Sequence, residues 1–246
     1  MPKRPLSKVS ILVLALLTIP LLSCGRKKSG YVGPKEPFPY LGRSASFAVL
    51  ADKNVINTGT TTIYGDVGVS SPDGTVSGLA SVKMTGGAIH QRNSLASNAQ
   101  HDAAYAYQNL KDKDCDQDLT GQNLGGRTLT PGTYCFSGDA RLDGLLTLDF
   151  QGNKNANFVF QIGSSLVLGA DSGMHLIHNG ESCNVFWQVP GSVTFENNAN
   201  VVGGFLVVGD ILLDNNDRLN GKLSSRTGSV TIHSSEIYNN FCPWPG

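Results

Sequence analysis

Charge is scarce in this chain. Only 15% of its 246 residues are charged, and the formal net charge is zero. Removing residues 1–23 takes away Lys3, Arg4 and Lys8 and no acid, which leaves a net of −3. Nucleic-acid binding needs a basic face that displaces counterions, so this balance argues against DNA or RNA as the partner. Catalytic signatures are missing too. The sequence has no H-E-x-x-H, no G-x-S-x-G and no P-loop. It has no C-x-x-C or Cys/His spacing of a metal site. His90, His101, His175, His178 and His233 are scattered, and His175 and His178 would face opposite ways on a strand, a poor chelate. Asp143 and Asp149, or Asp210, Asp214 and Asp217, could supply the carboxylate pair of a polysaccharide-cleaving enzyme. Aspartates in such polar stretches are ordinarily turn residues. Asp112, Asp114, Asp116 and Asp118 alternate as in a calcium loop, but Gln117 and Asn123 stand where its glycine and final glutamate belong. That segment reads as a solvated acidic loop. No enzyme, cofactor or metal is expected.

What is present is glycine and a repeated phrase. The 29 glycines and 40% hydrophobic residues fit a turn-dense β protein with a sizeable core. FVFQIGSSLVLG (158–169), VFWQVPGSVTFE (185–196), FLVVGDILLD (205–214) and LSSRTGSVTIH (223–233) say one thing with drift. Each has a short apolar strand, a Gly or Pro corner, a second short strand and a polar turn. The last three recur every ~18–20 residues, a period typical of a solenoid. One unit cannot bury its own apolar face, but stacked units can.

The first residues read as an address. Lys3, Arg4 and Lys8 precede an apolar run over residues 11–22, too short to span a bilayer and right for a signal-peptide core. Leu21-Leu22-Ser23-Cys24-Gly25 then matches the bacterial lipobox. It resembles a lipoprotein signal, with Cys24 acylated and anchored by several chains. The expected organisation is a signal peptide over 1–23, a lipidated Cys and flexible tether over 24–40, rich in Gly, Pro and Lys, and a folded domain over 41–246. The implied place is a bacterial membrane, at the outer membrane or cell surface, with a monomer expected.

Along the domain, Val55, Ile63, Val67 and Val69 are spaced for short strands, early or end rungs of the same stack, beside a threonine cluster at Thr58, Thr60, Thr61 and Thr62. Residues 70–87 show no further strand. Residues 92–111 read as the one helix, with an apolar stripe of Leu95, Ala99, Ala103, Ala106, Tyr107 and Leu110. The last six residues are expected to cap the stack.

Strand parity assigns directions. Phe158, Phe160 and Ile162, then Val185, Trp187 and Val189, then Phe205, Val207, Leu223 and Ser225 point inward. Val159, Phe186, Leu206 and Ser224 point outward, so the mostly apolar row requires the helix as a cover. In the second strands Leu166/Leu168, Val193/Phe195, Ile211/Leu213 and Val230/Ile232 point inward. Val167, Thr194, Leu212 and Thr231 point outward, with Thr147 placed one rung earlier. No second helix covers this row, so it should be open, flat and regular.

Besides Cys24 there are Cys115, Cys135, Cys183 and Cys242, an even number in an exported chain. They allow three connectivities, of which 115–135 and 183–242 are favoured by their places along the chain.

LGRSASFAVLA (41–51), TTIYGDVGVSSP (61–72), GGAIH (86–90), DLTGQNLGGRTLTPGTYCF (118–136), NFVFQIGSSL (157–166) and NVFWQV (184–189) resemble the DUF3494 ice-binding family, over nearly all of the mature domain. The resemblance implies an all-β fold with one long helix: an irregular, right-handed, three-sided β-solenoid with the helix packed along one face. It also implies adsorption to an ice crystal surface through one flat face, without catalysis. The expected face is Thr147, Ser165, Val167, Ser192, Thr194, Leu212, Ser229 and Thr231. Relatives tend to be rich in Thr, Ser and Ala there. Val and Leu in this row, with Asp149, Glu196, Asp210 and Asp214 beside it, predict at most moderate activity. The competing expectation is an adhesive or structural surface module that binds a glycan or a cell surface.

Overall fold

The computed structural model describes Met1 and residues 38–239. The signal segment, Cys24, most of the tether, Cys242 and the capping segment lie outside the described residues. The chain divides into the units Met1–Lys35 and Glu36–Gly246. The second is a parallel β-solenoid of three faces with a single α-helix among the described residues, Ser94–Lys111.

The first face is a seven-stranded sheet: Ala140–Leu142, Leu166–Leu168, Val193–Phe195, Ile211–Leu213, Val230–His233, Asn54–Thr58 and Thr75–Ser77, in that spatial order. The other fifteen strands of the described residues form one sheet that wraps both remaining faces. Asn200–Val207 and Arg218–Ser225 bend across the corner between those two faces. Gly203 makes the bend with φ of 117°, and a Cβ on Gly221 would meet the Gly203 carbonyl oxygen at 1.9 Å. Only glycine permits that backbone and that approach.

The third face was legible only in part. Thr61–Tyr64 and Leu145–Asp149 fall where strands are expected, whereas Gly173–Ile177 and Glu236–Tyr238, with residues 200–202 and 218–220, lie in what reads as polar turn. Their outward positions include His175, Asn200, Arg218 and Glu236, so burial on one side only left little apolar signal. Residues 70–87 likewise hold two strands, Thr75–Ser77 and Val82–Thr85. Four successive rungs turn from the first face to the third through a left-handed residue other than glycine: Asp171 (φ 57°), Asn198 (67°), Asn216 (63°) and Ser234 (46°). Short polar side chains tolerate this region best, which explains the recurring Asn and Asp.

The inward set assigned by parity is the core. Tyr134, Phe160, Trp187 and Phe205 pair rung to rung. Their rings stack at centroid distances of 5.6, 4.1 and 5.5 Å. The column continues through Leu223, Val49 and Val67. Trp187 satisfies its buried indole by donating Nε1–H to the Val202 carbonyl at 3.1 Å.

The helix covers the outward apolar row as required. Val159, Phe186 and Leu206 pack with Ala99, Ala103, Ala106, Tyr107 and Leu110, joined by Phe47 and Leu50. Leu95 is 38% exposed, and Ala96 takes its place in the buried stripe. The Asn93 side chain caps the helix start, accepting from Ala96 N–H at 2.9 Å. Gln161 Nε2 donates to the Leu110 and Lys113 carbonyls at 2.7 and 2.8 Å, closing the other end. The helix is 18 residues, ~27 Å at 1.5 Å per residue, or five to six rung spacings. It therefore carries the chain along the stack, which then winds back until its last repeat meets the first strands. Leu223 pairs with Val49, Thr231 with Ile56 and Ile237 with Ile63. The N-terminal strands are end rungs, as expected, and their neighbour is the final repeat.

Cys115 and Cys135 form a disulfide. Cys183 is also disulfide-bonded. Cys242, the partner expected for it, lies outside the described residues.

Candidate functional site: the flat face

The seven-stranded sheet builds a regular surface. Its central outward column runs Arg141, Val167, Thr194, Leu212, Thr231, Ile56, Ser77. Strands repeat at ~4.8 Å and alternate outward residues along a strand at ~6.6 Å, so the array spans about 29 Å along the column. Val167, Thr194, Leu212 and Thr231 are half-buried among neighbours, while Ile56 is 36% exposed.

Thr147 does not belong to this column. It pairs with Thr128 and His175 on the third face. The strand on the flat face in that rung is Ala140–Leu142, so Arg141 occupies the position given to Thr147. Alternation around Thr147 fits either face, and the Asp143-Gly144 dipeptide, with φ of 92° at Gly144, marks the turn that separates them. Asp149 is displaced with it, ending the same third-face strand and bonding His178 Nδ1 at 2.6 Å. That partner holds the Asp149 carboxyl below its ordinary range.

Ser165, Ser192 and Ser229 flank the column and join a ladder of hydrogen bonds along it, chiefly through their backbone N–H groups. Ser165 N–H donates to Asp139 Oδ1 at 2.9 Å, and Ser165 Oγ accepts from Ser192 N–H at 3.2 Å. Ser229 N–H donates to Asp210 Oδ1 at 2.8 Å. Asn54 continues the ladder, donating to Ser229 Oγ at 3.4 Å and accepting from Thr75 N–H at 3.1 Å and Thr75 Oγ1 at 2.8 Å. These bonds lock one margin of the face from rung to rung. They also lower the Asp139 pKa, through Ser164 and Ser165.

The charges collect at one end. Arg141 bonds Asp143 at 2.6 Å and reaches across the Val167 rung to Glu196 at 3.0 Å. The Glu196 carboxyl is held below its usual range by Arg141 first and then by Ala170 N–H. Asp217 faces inward at the neighbouring corner and is 1% exposed. Burial raises its pKa and Asp214 is close enough to push it up further, whereas the strand 145–149 places Asp149 on the third face, away from Asp143. The Asp143 and Asp149 pair does not converge. In the acidic loop, Asp116 accepts from Thr133 N–H at 2.7 Å and Asp118 from Thr120 N–H at 2.8 Å.

Sequence reading missed Asn54, Ile56, Thr75 and Ser77 as members of this face. The threonine cluster beside them was visible, but their register with the last repeat is a tertiary fact.

This geometry has counterparts. The sequence model described as Ice-binding-like matches residues 49–238. An "Ice-binding protein" from Nostoc sp. (strain HG1) is 38% identical over 200 residues, covering 81% of this chain and 73% of that one. The crystal structure of an ice binding protein from an Antarctic biological consortium superposes with a TM-score of 0.77 at 31% identity, covering 80% of this chain and 89% of the other. That of an ice-binding protein from the Antarctic ascomycete Antarctomyces psychrotrophicus gives 0.77 at 30% identity, covering 80% and 96%. The chain belongs to the Ice-binding-like family.

Proposed function

We propose that this protein adsorbs to ice through the flat face. The observation that carries the reading is the in-register column from Val167 through Thr194 and Leu212 to Thr231, on a sheet that no helix covers among the described residues. A stiff array of short methyl and hydroxyl groups can order its surface water into a lattice-like layer. Threonine suits this because β-branching restricts χ1. Many neighbouring contacts made together render detachment rare, as in multivalent binding. Ice then has to bulge between adsorbed molecules, and growth stalls. No step of this breaks or makes a covalent bond, consistent with a binding protein rather than an enzyme.

Thermal hysteresis and ice recrystallisation inhibition measure the activity directly. Moderate inhibition is expected, and none at high micromolar concentration sinks the proposal. Binding to a glycan or cell surface with no effect on ice would support the adhesive alternative instead.

The lipobox adds an address to this reading. Cys24 is the proposed lipidation site, carrying the domain to the bacterial envelope. Cys24→Ser should release the protein from the membrane fraction; unchanged membrane retention would refute the anchor. Protease shaving of intact cells would report which way the anchored domain faces.

A further inference from the structure

We infer that the ice-contact patch is off-centre on the flat face: Asn54–Thr58 and Thr75–Ser77 supply part of it, and the Arg141–Asp143–Glu196 cluster ends it. The inference rests on the proposal that this face adsorbs ice, and adds where on the face adsorption occurs.

Charge segregation is the first argument. Toward one end the outward positions include Asp139, Arg141, Asp143, Glu196, Asp210 and Asp214. Across Val230–His233, Asn54–Thr58 and Thr75–Ser77 the outward strand positions are Thr231, His233, Asn54, Ile56, Thr58, Thr75 and Ser77. None of these carries a fixed charge. A carboxylate or guanidinium holds its own hydration shell, and stripping or reordering that shell costs far more than for a hydroxyl or methyl group. The neutral rungs are therefore the better template for an ordered layer.

Rigidity is the second. The junction between the last repeat and the first strand is a break in chain order, yet it is stitched across the surface. Asn54 links Ser229 and Thr75, and Thr58 Oγ1 meets His233 Nδ1. Ile56 lies in register beside Thr231 and Ser77 beside Ile56. The regular spacing thus continues beyond Thr231 for two more rungs.

The opposite end differs in shape as well as charge. Arg141 spans two rungs, with Nη2 bonded to Glu196, and lies over Gly169, where a Cβ would approach the same Nη2 at 3.1 Å. A salt-bridged arm across the surface replaces the short side chains of the neutral rungs.

The test compares Ile56→Tyr, Ser77→Tyr, Arg141→Tyr and Thr231→Tyr in the full-length chain by ice recrystallisation inhibition, with urea unfolding as the control for folding. Because adsorption is multivalent, Ile56→Tyr and Ser77→Tyr should each raise the inhibitory concentration by ~10-fold or more, and Arg141→Tyr by less than ~2-fold. If Ile56→Tyr fails to fold, Ser77→Tyr on the edge strand decides alone. Loss with Thr231→Tyr but full activity in Ile56→Tyr or Ser77→Tyr overturns the inference and leaves the flat-face proposal standing. Loss with Arg141→Tyr as deep as with Thr231→Tyr overturns it too. Full activity in Thr231→Tyr overturns the flat-face proposal itself.

Discussion

Ile56 and Thr231 are neighbours in adjacent parallel strands, although they come from the first and last turns of the solenoid. The chain begins the stack at one end, crosses its length through the helix, and winds back until the final turn closes against the first. The flat face is continuous only because of this closure. Its surface therefore depends on the core beneath both parts.

The aromatic column is where that core is most sensitive. Trp187 is fully buried between Phe160 and Phe205 and donates to Val202. Trp187→Ala removes the stack and leaves the Val202 carbonyl without its donor. A loss of ~3–5 kcal/mol is expected from the urea midpoint at unchanged slope. A change below ~1 kcal/mol would mean the rungs relax into the cavity far more than a packed interior allows.

The disulfide Cys115–Cys135 closes a loop of sequence separation 20 between the helix end and the first complete rung. Constraining such a loop in the unfolded chain is worth about 3 kcal/mol. A Cys115→Ser/Cys135→Ser double variant should unfold at correspondingly lower urea concentration. Its ice activity at low temperature should persist, because neither cysteine lies in the strands of the flat face. Activity lost while the domain remains folded would contradict that separation.

Asp217 makes stability depend on pH. Burial raises its pKa from 3.8 to about 7, opposed by the hydrogen bond from Ala199 N–H and reinforced by Asp214. The folded pKa lies above the unfolded one, so the native state binds the extra proton. Stability is fully present below the unfolded value and is lost as pH rises through about 7. Asp217→Asn keeps an acceptor for Ala199 without the charge. It should flatten this slope and unfold later than wild type on the alkaline side. An unchanged pH profile would show that Asp217 is not the group responsible.

Legibility in the sequence followed burial. Leu168, Phe195 and Ile232 announce their direction because an apolar residue alternates with one that is less so. The helix was legible from its stripe, and the cover over Val159 and Phe186 followed from parity. Much of the third face was hidden because residues such as Arg218 and Glu236 face water on one side of very short strands. Thr147 was misplaced for the opposite reason. One rung of the flat face reads Ala140-Arg141-Leu142, which carries less apolar signal than Leu146-Thr147-Leu148 on the third face. Ile56 and Ser77 were missed for another reason. No local pattern records that the first strands pack against the last repeat.

The claim that one face adsorbs ice is tested most directly by ice recrystallisation inhibition with Thr231→Tyr and Thr147→Tyr side by side. Both are partly exposed threonines on short strands, on different faces. A bulky ring in the flat array breaks many contacts at once, so Thr231→Tyr should lose activity by ~10-fold or more while Thr147→Tyr stays near wild type. Equal activity in the two folded variants, or loss confined to Thr147→Tyr, would contradict the account.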